Sequence, residues 1–155
     1  MISPERLRHH RFFSQFKEAQ LISLSMITEQ VVLESEETLF AEGQPAQALY
    51  FLLSGCVDLY YTIADSARPQ ERKEALVCQV NPGEMFGISA LIEPYTLTAT
   101  ARSAGQSEVL RLDLDQLHAL FEKDPQLEIL MMHKVAKAAI ERLHHTRVLL
   151  AAAYA

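Results

Sequence analysis

The order of apolar and polar positions changes twice along the chain, from helical to strand-like and back to helical. Residues Pro4 to Leu24 have apolar residues at helical intervals, and Ser3 followed by Pro4 is a typical helix start. The pattern therefore predicts one N-terminal helix. Its apolar positions are Leu7, Phe12, Phe13, Phe16, Ala19 and Leu21.

Between Thr28 and Leu112 the chain consists of short segments rich in β-branched and aromatic residues, separated by turn residues. All five glycines fall at these turns and none lies in a predicted helix. Many short strands at this spacing are typical of a β-sandwich or barrel. The predicted strands are Gln30–Glu34, Thr38–Phe40, Ala48–Leu53, Cys56–Ile63, Ala75–Val80, Thr96–Ala101 and Ser107–Leu112.

The polar stretch Ala64–Lys73, which contains a proline, is predicted to be an exposed hairpin loop. Helical periodicity then returns at Asp113, which can cap a short helix that extends to about Phe121. Asp124 and Pro125 end this helix and begin the next one. We therefore expect two parts, residues 1–123 as a β-domain and residues 124–155 as a terminal helix.

The last predicted helix, from Gln126 to about Ala153, carries apolar residues at alternating intervals of three and four. Such a heptad seam is typical of helices that pair with each other. The seam could instead pack on the β-domain of its own chain, but the helix is too long for one small domain to cover. We favour a homodimer through the heptad seam, which comprises Ile129, Met132, Ala136, Ala139, Leu143, Thr146 and Leu150.

Composition and charge narrow the classes of function. The 155 residues are 49% hydrophobic and carry a net charge of −6, which favours a globular domain and disfavours direct binding of nucleic acid. The basic run from Arg6 to Arg11 is interpreted as a solvated helix face. The sequence shows no secretory core and no apolar run long enough for a bilayer, so we expect a cytoplasmic protein without a membrane partner. Cys56 and Cys78 are expected to be buried, reduced thiols.

Residues 82–103 contain the pattern most informative about function. Gly83 and Gly87 stand at a strand-turn spacing, an apolar turn follows from Ile88 to Ile92, and the alternating segment Thr96–Ala101 comes next. This outline resembles the phosphate-binding cassette of cyclic-nucleotide-binding domains. Thr38–Gly43, Leu49–Val57 and Asn81–Gly87 are similar to three glycine-containing turns of the same domains.

The ordered set of elements resembles the family of the cAMP receptor protein and the fumarate–nitrate regulator (CRP/FNR). The resemblance implies a mainly β fold, a double-stranded β-helix (jelly roll) with an N-terminal helix and a long C-terminal dimerisation helix. It also implies a ligand-sensing and dimerisation role in a transcription regulator, with DNA bound only through a domain outside this chain. By the same resemblance, the candidate ligand-binding residues are Gly87, Ile88, Ser89, Ala90, Leu97, Thr98, Ala99 and Thr146.

Two positions depart from the pattern of cyclic-nucleotide binders. Ile88 stands where the family has a glutamate for the ribose, and Leu97 stands where an arginine neutralises the phosphate. A buried phosphate without a cationic partner keeps a large desolvation penalty. We therefore expect weak binding of cyclic nucleotides and do not identify the ligand. A shift of register by a residue or two would make Arg102 an alternative cation.

Two other functions and one cofactor stay open as alternatives. A stand-alone interaction module would use the same fold without a small ligand. Haem is an alternative cofactor because some family members bind it, but the six histidines lack a metal-ligand spacing. A cupin-type enzyme would need histidines on its strands, and no histidine occurs between Arg11 and His118. We therefore expect no metal and no catalysis.

Overall fold

The computed structural model describes residues 1–64, 67–68 and 70–155. The N-terminal part contains α1 (Pro4–Arg8), a 3₁₀ turn (Arg11–Phe13) and α2 (Glu18–Ile27). The strands within the described ranges are β1 (Thr28–Leu33), β2 (Thr38–Phe40), β3 (Ala48–Ser54), β4 (Val57–Ala64), β5 (Arg72–Val80), β6 (Met85–Phe86), β7 (Thr100–Ser103) and β8 (Ser107–Asp113). A second 3₁₀ turn (Ile88–Leu91) follows β6, and α3 (Leu114–Lys123) and α4 (Pro125–Ala153) end the chain.

The strands form two four-stranded antiparallel sheets, in the orders β1-β8-β3-β6 and β2-β7-β4-β5. Strand β3 is buried along most of its length because both of its faces are covered. Tyr50 stacks on Phe86 with ring centroids 5.3 Å apart. The ring of the next residue, Phe51, lies against that of Phe13, also with centroids 5.3 Å apart. Since successive strand residues point to opposite faces, the N-terminal segment covers one face of this sheet and the interior of the roll covers the other. The predicted jelly roll is confirmed.

The prediction of a single helix from Pro4 to Leu24 is wrong. The amide of Ile2 donates a hydrogen bond to the carbonyl oxygen of Ser25 at 3.1 Å. A straight helix would separate these residues by roughly 35 Å, at about 1.5 Å per residue. The segment folds back so that Leu7, Phe13 and Leu24 can all be fully buried. The basic run is consequently not one helix face, and His10 within it is half-buried against Phe51.

The predicted strand at Thr96–Ala101 is also corrected, since β7 begins only at Thr100. Before β7, two backbone hydrogen bonds hold Leu97 in place. The amide of Leu97 donates to the carbonyl oxygen of Gln44 at 2.9 Å, and the carbonyl oxygen of Leu97 accepts from the amide of Gly43 at 2.8 Å. In the predicted hairpin loop, Asp65, Ser66 and Pro69 lie outside the described residues. Arg72 and Lys73 already belong to β5, where they pair with Ala64 and Ile63.

The helical end of the chain agrees closely with the predicted boundaries. The carboxylate of Asp113 accepts a hydrogen bond from the amide of Gln116 at 3.1 Å and thereby caps α3. Asp124 caps α4 in the same way through the amide of Leu127 at 3.1 Å. Within the described ranges, none of the helices has the length and apolar character that crossing a bilayer requires.

Candidate functional site

The candidate site is centred on the segment between β6 and β7, which we call the cassette (Gly87–Ala99). Gly87 adopts the left-handed conformation, with φ of 67° and ψ of 32°, and directs the chain into the second 3₁₀ turn. Glycine populates this region without the steric penalty that a Cβ atom brings. The turn that the sequence predicted from the glycine spacing is therefore present.

Beside the cassette lies a small pocket of about 270 Å³, which Leu97 of the cassette helps to line. Leu97, only 6% exposed, lies in it beside the rings of Phe40 and Tyr50, whose centroids are 5.6 Å apart. The described residues that line this pocket include no cationic or anionic side chain. They are Leu39, Phe40, Gln44, Pro45, Gln47, Ala48, Tyr50 and Leu97.

Arg102, the alternative cation, does not reach this pocket. On β7 it follows Ala101, which is fully buried, so its side chain points to the opposite, outer face of the sheet. There its guanidinium pairs with the carboxylate of Glu74 at 3.1 Å and lies 4.8 Å from the ring centroid of Tyr60. The guanidinium of Arg102 therefore has its partners on the outer face of the sheet and is not directed towards the pocket.

The remaining cassette residues differ in how they could meet a ligand. Ile88 and Ser89 are half-buried at the start of the 3₁₀ turn, where amides have no intrahelical acceptor. Ala90 is fully buried, and its amide donates to the carbonyl oxygen of Gly87 at 3.1 Å. The Ala90 amide is therefore already hydrogen-bonded within the turn.

At the other end of the cassette, Thr98 is exposed and Ala99 is half-buried. Thr98 is a neighbour of Leu97, which lines the pocket, but is not itself among the lining residues. Strand-like alternation explains this, since adjacent side chains leave the backbone in opposite directions.

Thr146 is not brought to the cassette within one chain. It is exposed on α4, its hydroxyl donates to the carbonyl oxygen of Arg142 at 2.9 Å, and it does not line the pocket beside Leu97. An upstream part of α4 does contact the cassette. Met132 lines a shallow depression together with Leu91 and Ile92.

The face of α4 that packs on the β-roll is not the predicted seam. Leu127, Met131 and Val135 are buried, and their spacing of four residues forms one stripe on the helix. In the seam itself, Ile129, Leu143 and Leu150 are 66%, 48% and 56% exposed. The alternative in which the heptad seam packs on its own β-domain is therefore wrong for these residues, although Met132 is partly buried.

Sequence reasoning did not identify Phe40, Tyr50, Gln44 and Gln47 as pocket residues. A usable signal existed for the two aromatic residues, since each is a large ring in a predicted strand. Nothing in the sequence indicates that these strands meet, because they lie in different sheets.

The two cysteines differ from expectation in their burial. Cys56 and Cys78 are free but half-buried, and burial raises the pKa of both thiols. Among residues 1–64, 67–68 and 70–155, no three His, Cys, Asp or Glu side chains lie close enough together to hold a metal ion.

Comparison with known proteins places this geometry in a family. The family model of the cyclic nucleotide-binding domain matches residues 30–124. A CRP-like cAMP-activated global transcriptional regulator of Mycobacterium tuberculosis is 24% identical over 133 residues, which are 86% of this chain and 57% of the regulator. A cyclic AMP receptor protein of Thermus thermophilus is 33% identical over 105 residues, 68% of this chain and 44% of that protein.

Among solved structures, a similar chain comes from Geobacter metallireducens GS-15 and is provisionally described as a cyclic nucleotide-binding protein. It is 36% identical, has a TM-score of 0.79, and is matched over 93% of this chain and all of its own length. By contrast, the chain spans little more than half the length of the mycobacterial regulator. The chain belongs to the cyclic nucleotide-binding domain family and has regulators of the cAMP receptor protein type among its relatives.

Proposed function

We propose that this chain is the effector-sensing and dimerisation part of a CRP/FNR-type transcription regulator whose cassette no longer selects a cyclic nucleotide. In this proposal DNA is bound by a domain outside these 155 residues. The relatives support the regulatory class, since two of them are named as a transcriptional regulator and a cyclic AMP receptor protein.

The observation that carries the proposal is the position of Leu97. Its side chain is buried and lines the same pocket as Phe40 and Tyr50, at the position where the family's cyclic-nucleotide binders have an arginine. A phosphate placed there would lose its hydration without gaining a charged partner, and such burial is costly. Ile88 likewise offers no acceptor for a ribose hydroxyl.

The pocket favours a small ligand without net charge. Its lining side chains carry no charge, and the polar groups among them are the amides of Gln44 and Gln47 and the hydroxyl of Tyr50. The carbonyl oxygen of the Gln44 side chain already accepts a hydrogen bond from the amide of Ala41 at 3.0 Å, which leaves its NH₂ group as a donor.

Two contacts support a route from the cassette to α4. Leu91 at the end of the 3₁₀ turn shares a depression with Met132, and the guanidinium of Arg142 donates to the carbonyl oxygen of Met85 in β6. A ligand that moved the cassette would therefore alter how α4 packs. We propose that it shifts the population between two arrangements of the paired helices.

Calorimetry with cAMP and cGMP tests the proposal. The wild-type protein is expected to bind neither nucleotide tightly, whereas Ile88→Glu combined with Leu97→Arg should increase cAMP affinity at least about tenfold, or about 1.4 kcal/mol. Leu97→Met, which conserves volume, is the matched control and should leave binding as weak as in wild type. Tight binding of either nucleotide by the wild-type protein would refute the loss of selectivity.

A further inference from the structure

A larger cavity lies between α4 and the N-terminal segment. This α4 groove has a volume of about 550 Å³ and is walled by the first 3₁₀ turn, the turn before β6 and one face of α4. Its volume is within the range of about 300–1,000 Å³ that is usual for small-molecule sites. None of the candidate ligand-binding residues of the cassette lines it.

Basic side chains are concentrated in the α4 groove although the chain as a whole is acidic. Arg11, Lys134, Lys137 and Arg142 line it, together with His133 and two acidic residues, Glu84 and Glu141. These four are a substantial share of the 14 lysines and arginines in a chain of net charge −6. The groove therefore concentrates positive charge where the overall composition would not predict it.

None of these four cations forms a salt bridge within 4.0 Å in the part of the chain that the structure describes. The guanidinium of Arg142 donates a hydrogen bond to the Met85 carbonyl oxygen, which carries no net charge. Of the two acidic residues, Glu84 accepts a hydrogen bond from the amide of Asn81 at 2.7 Å. The two acidic residues of the groove thus neutralise its positive charge only in part.

Lys134 is the most constrained of these groups. Its ammonium lies 4.5 Å from the ring centroid of Phe12 and 5.5 Å from that of Phe16. Burial, and secondly the neighbouring charge of Lys137, lower the pKa of Lys134. A bound anion would oppose both effects because it favours the charged form of the amine.

The α4 groove would stay open in a dimer built through the heptad seam. Nine positions separate Lys134 from Leu143, which at about 3.6 residues per turn is about two and a half turns. The two side chains therefore leave α4 on opposite sides. A ligand in the groove would contact both α4 and the N-terminal segment without disturbing the pairing of helices.

We propose that the α4 groove is a binding site for a small organic phosphate. Lysine ammonium groups bind phosphate as point charges, and arginine adds directed hydrogen bonds. The dianionic phosphate matches the unpaired cations Arg11, Lys134 and Lys137, while the ring of Phe12 offers an apolar surface to the organic part. This site is separate from the cassette and is not a consequence of the function proposed above.

Titration calorimetry with phenyl phosphate on the whole chain tests the site. Lys137→Gln is expected to weaken binding at least about fivefold, because it removes an exposed cation at the groove without disturbing the core. Lys73→Gln, an equal loss of charge at an exposed position on β5, should leave binding unchanged. The cassette variant Leu97→Met should also bind normally, so failure here and failure of the cassette proposal are distinguishable.

Two further probes define the class of ligand. Inorganic phosphate and benzoate should each bind more weakly than phenyl phosphate, because one lacks the ring and the other lacks the second charge. The proposal is overturned if phenyl phosphate gives no binding at millimolar concentration, or if Lys137→Gln and Lys73→Gln weaken binding equally. Benzoate binding as tightly as phenyl phosphate would overturn the assignment to phosphates.

Discussion

A Cβ atom added to Gly87 would lie 3.0 Å from Cδ2 of Tyr50. The left-handed turn at the start of the cassette is therefore in direct contact with an aromatic wall of the pocket. Tyr50 stacks in turn on Phe86, the residue just before Gly87. The backbone of the cassette and the shape of the pocket are thus determined by the same few contacts.

Gly87→Ala should destabilise the protein by about 1–2 kcal/mol, since a non-glycine residue is strained in the left-handed region. The contact with the Tyr50 ring adds to this loss. Urea denaturation monitored by circular dichroism measures it. Gly105→Ala is the matched control, because a Cβ atom there meets nothing within 4 Å and the backbone is not left-handed. Equal stability of the two variants would contradict the account of Gly87.

Leu143→Glu should dissociate the proposed dimer, because burying a carboxylate in an apolar seam without a partner is costly. We expect the dimer dissociation constant to rise at least about a hundredfold, or about 2.7 kcal/mol. Sedimentation velocity over a concentration series measures the change. Lys137→Glu places the same side chain about 120° around α4 from Leu143, outside the heptad seam, and should leave the dimer intact. If Leu143→Glu sediments like the wild-type protein, the heptad seam is not the interface.

Acidification should destabilise the protein partly through His10. Burial against the Phe51 ring, and secondly the charges of His9 and Arg6, lower the pKa of His10 below its ordinary value of 6.5. The unfolded chain then takes up this proton more readily than the folded chain, so stability rises with pH in this range. The contribution of neutral His10 to the free energy of unfolding is present above about pH 6.5. It is lost as the pH falls towards the lowered pKa of His10 in the folded protein.

Thermal unfolding of His10→Gln across this range tests the linkage. The variant should show a smaller loss of melting temperature between pH 7.5 and pH 5.5 than the wild-type protein. His145→Gln, an exposed position on α4, should keep the wild-type slope. A wild-type slope in His10→Gln would remove His10 as a source of the pH dependence.

Local patterns predicted those parts of the fold that depend on neighbours in the sequence. The caps Asp113 and Asp124, the end of the short helix and the left-handed glycine turn each depend on residues within about one helical turn. Their hydrogen bonds are short-range, so the sequence alone is sufficient to place them. Most strand positions were predicted for a related reason, since period-two alternation and turn residues are local features; the exceptions are β6 and the start of β7.

The break in the N-terminal segment was not predictable in this way. No glycine or proline interrupts residues 5–24, and helical periodicity continues through them. The chain turns back because Phe13 and its neighbours bury more apolar surface against Phe51 than a straight helix would allow. Such a choice depends on a strand more than 30 positions further along the chain.

By itself, the sequence determined the family resemblance, the order of elements, the caps and the loss of charge at Ile88 and Leu97. Only the tertiary structure decided that Leu97 lines a pocket together with Phe40 and Tyr50, that Arg102 points away, and which face of α4 packs on the β-roll. Charge and local propensity belong to single residues and short windows. Pockets and packing faces arise from residues distant in sequence. Their contacts are determined by strand pairing within each sheet and by the packing of the two sheets on each other.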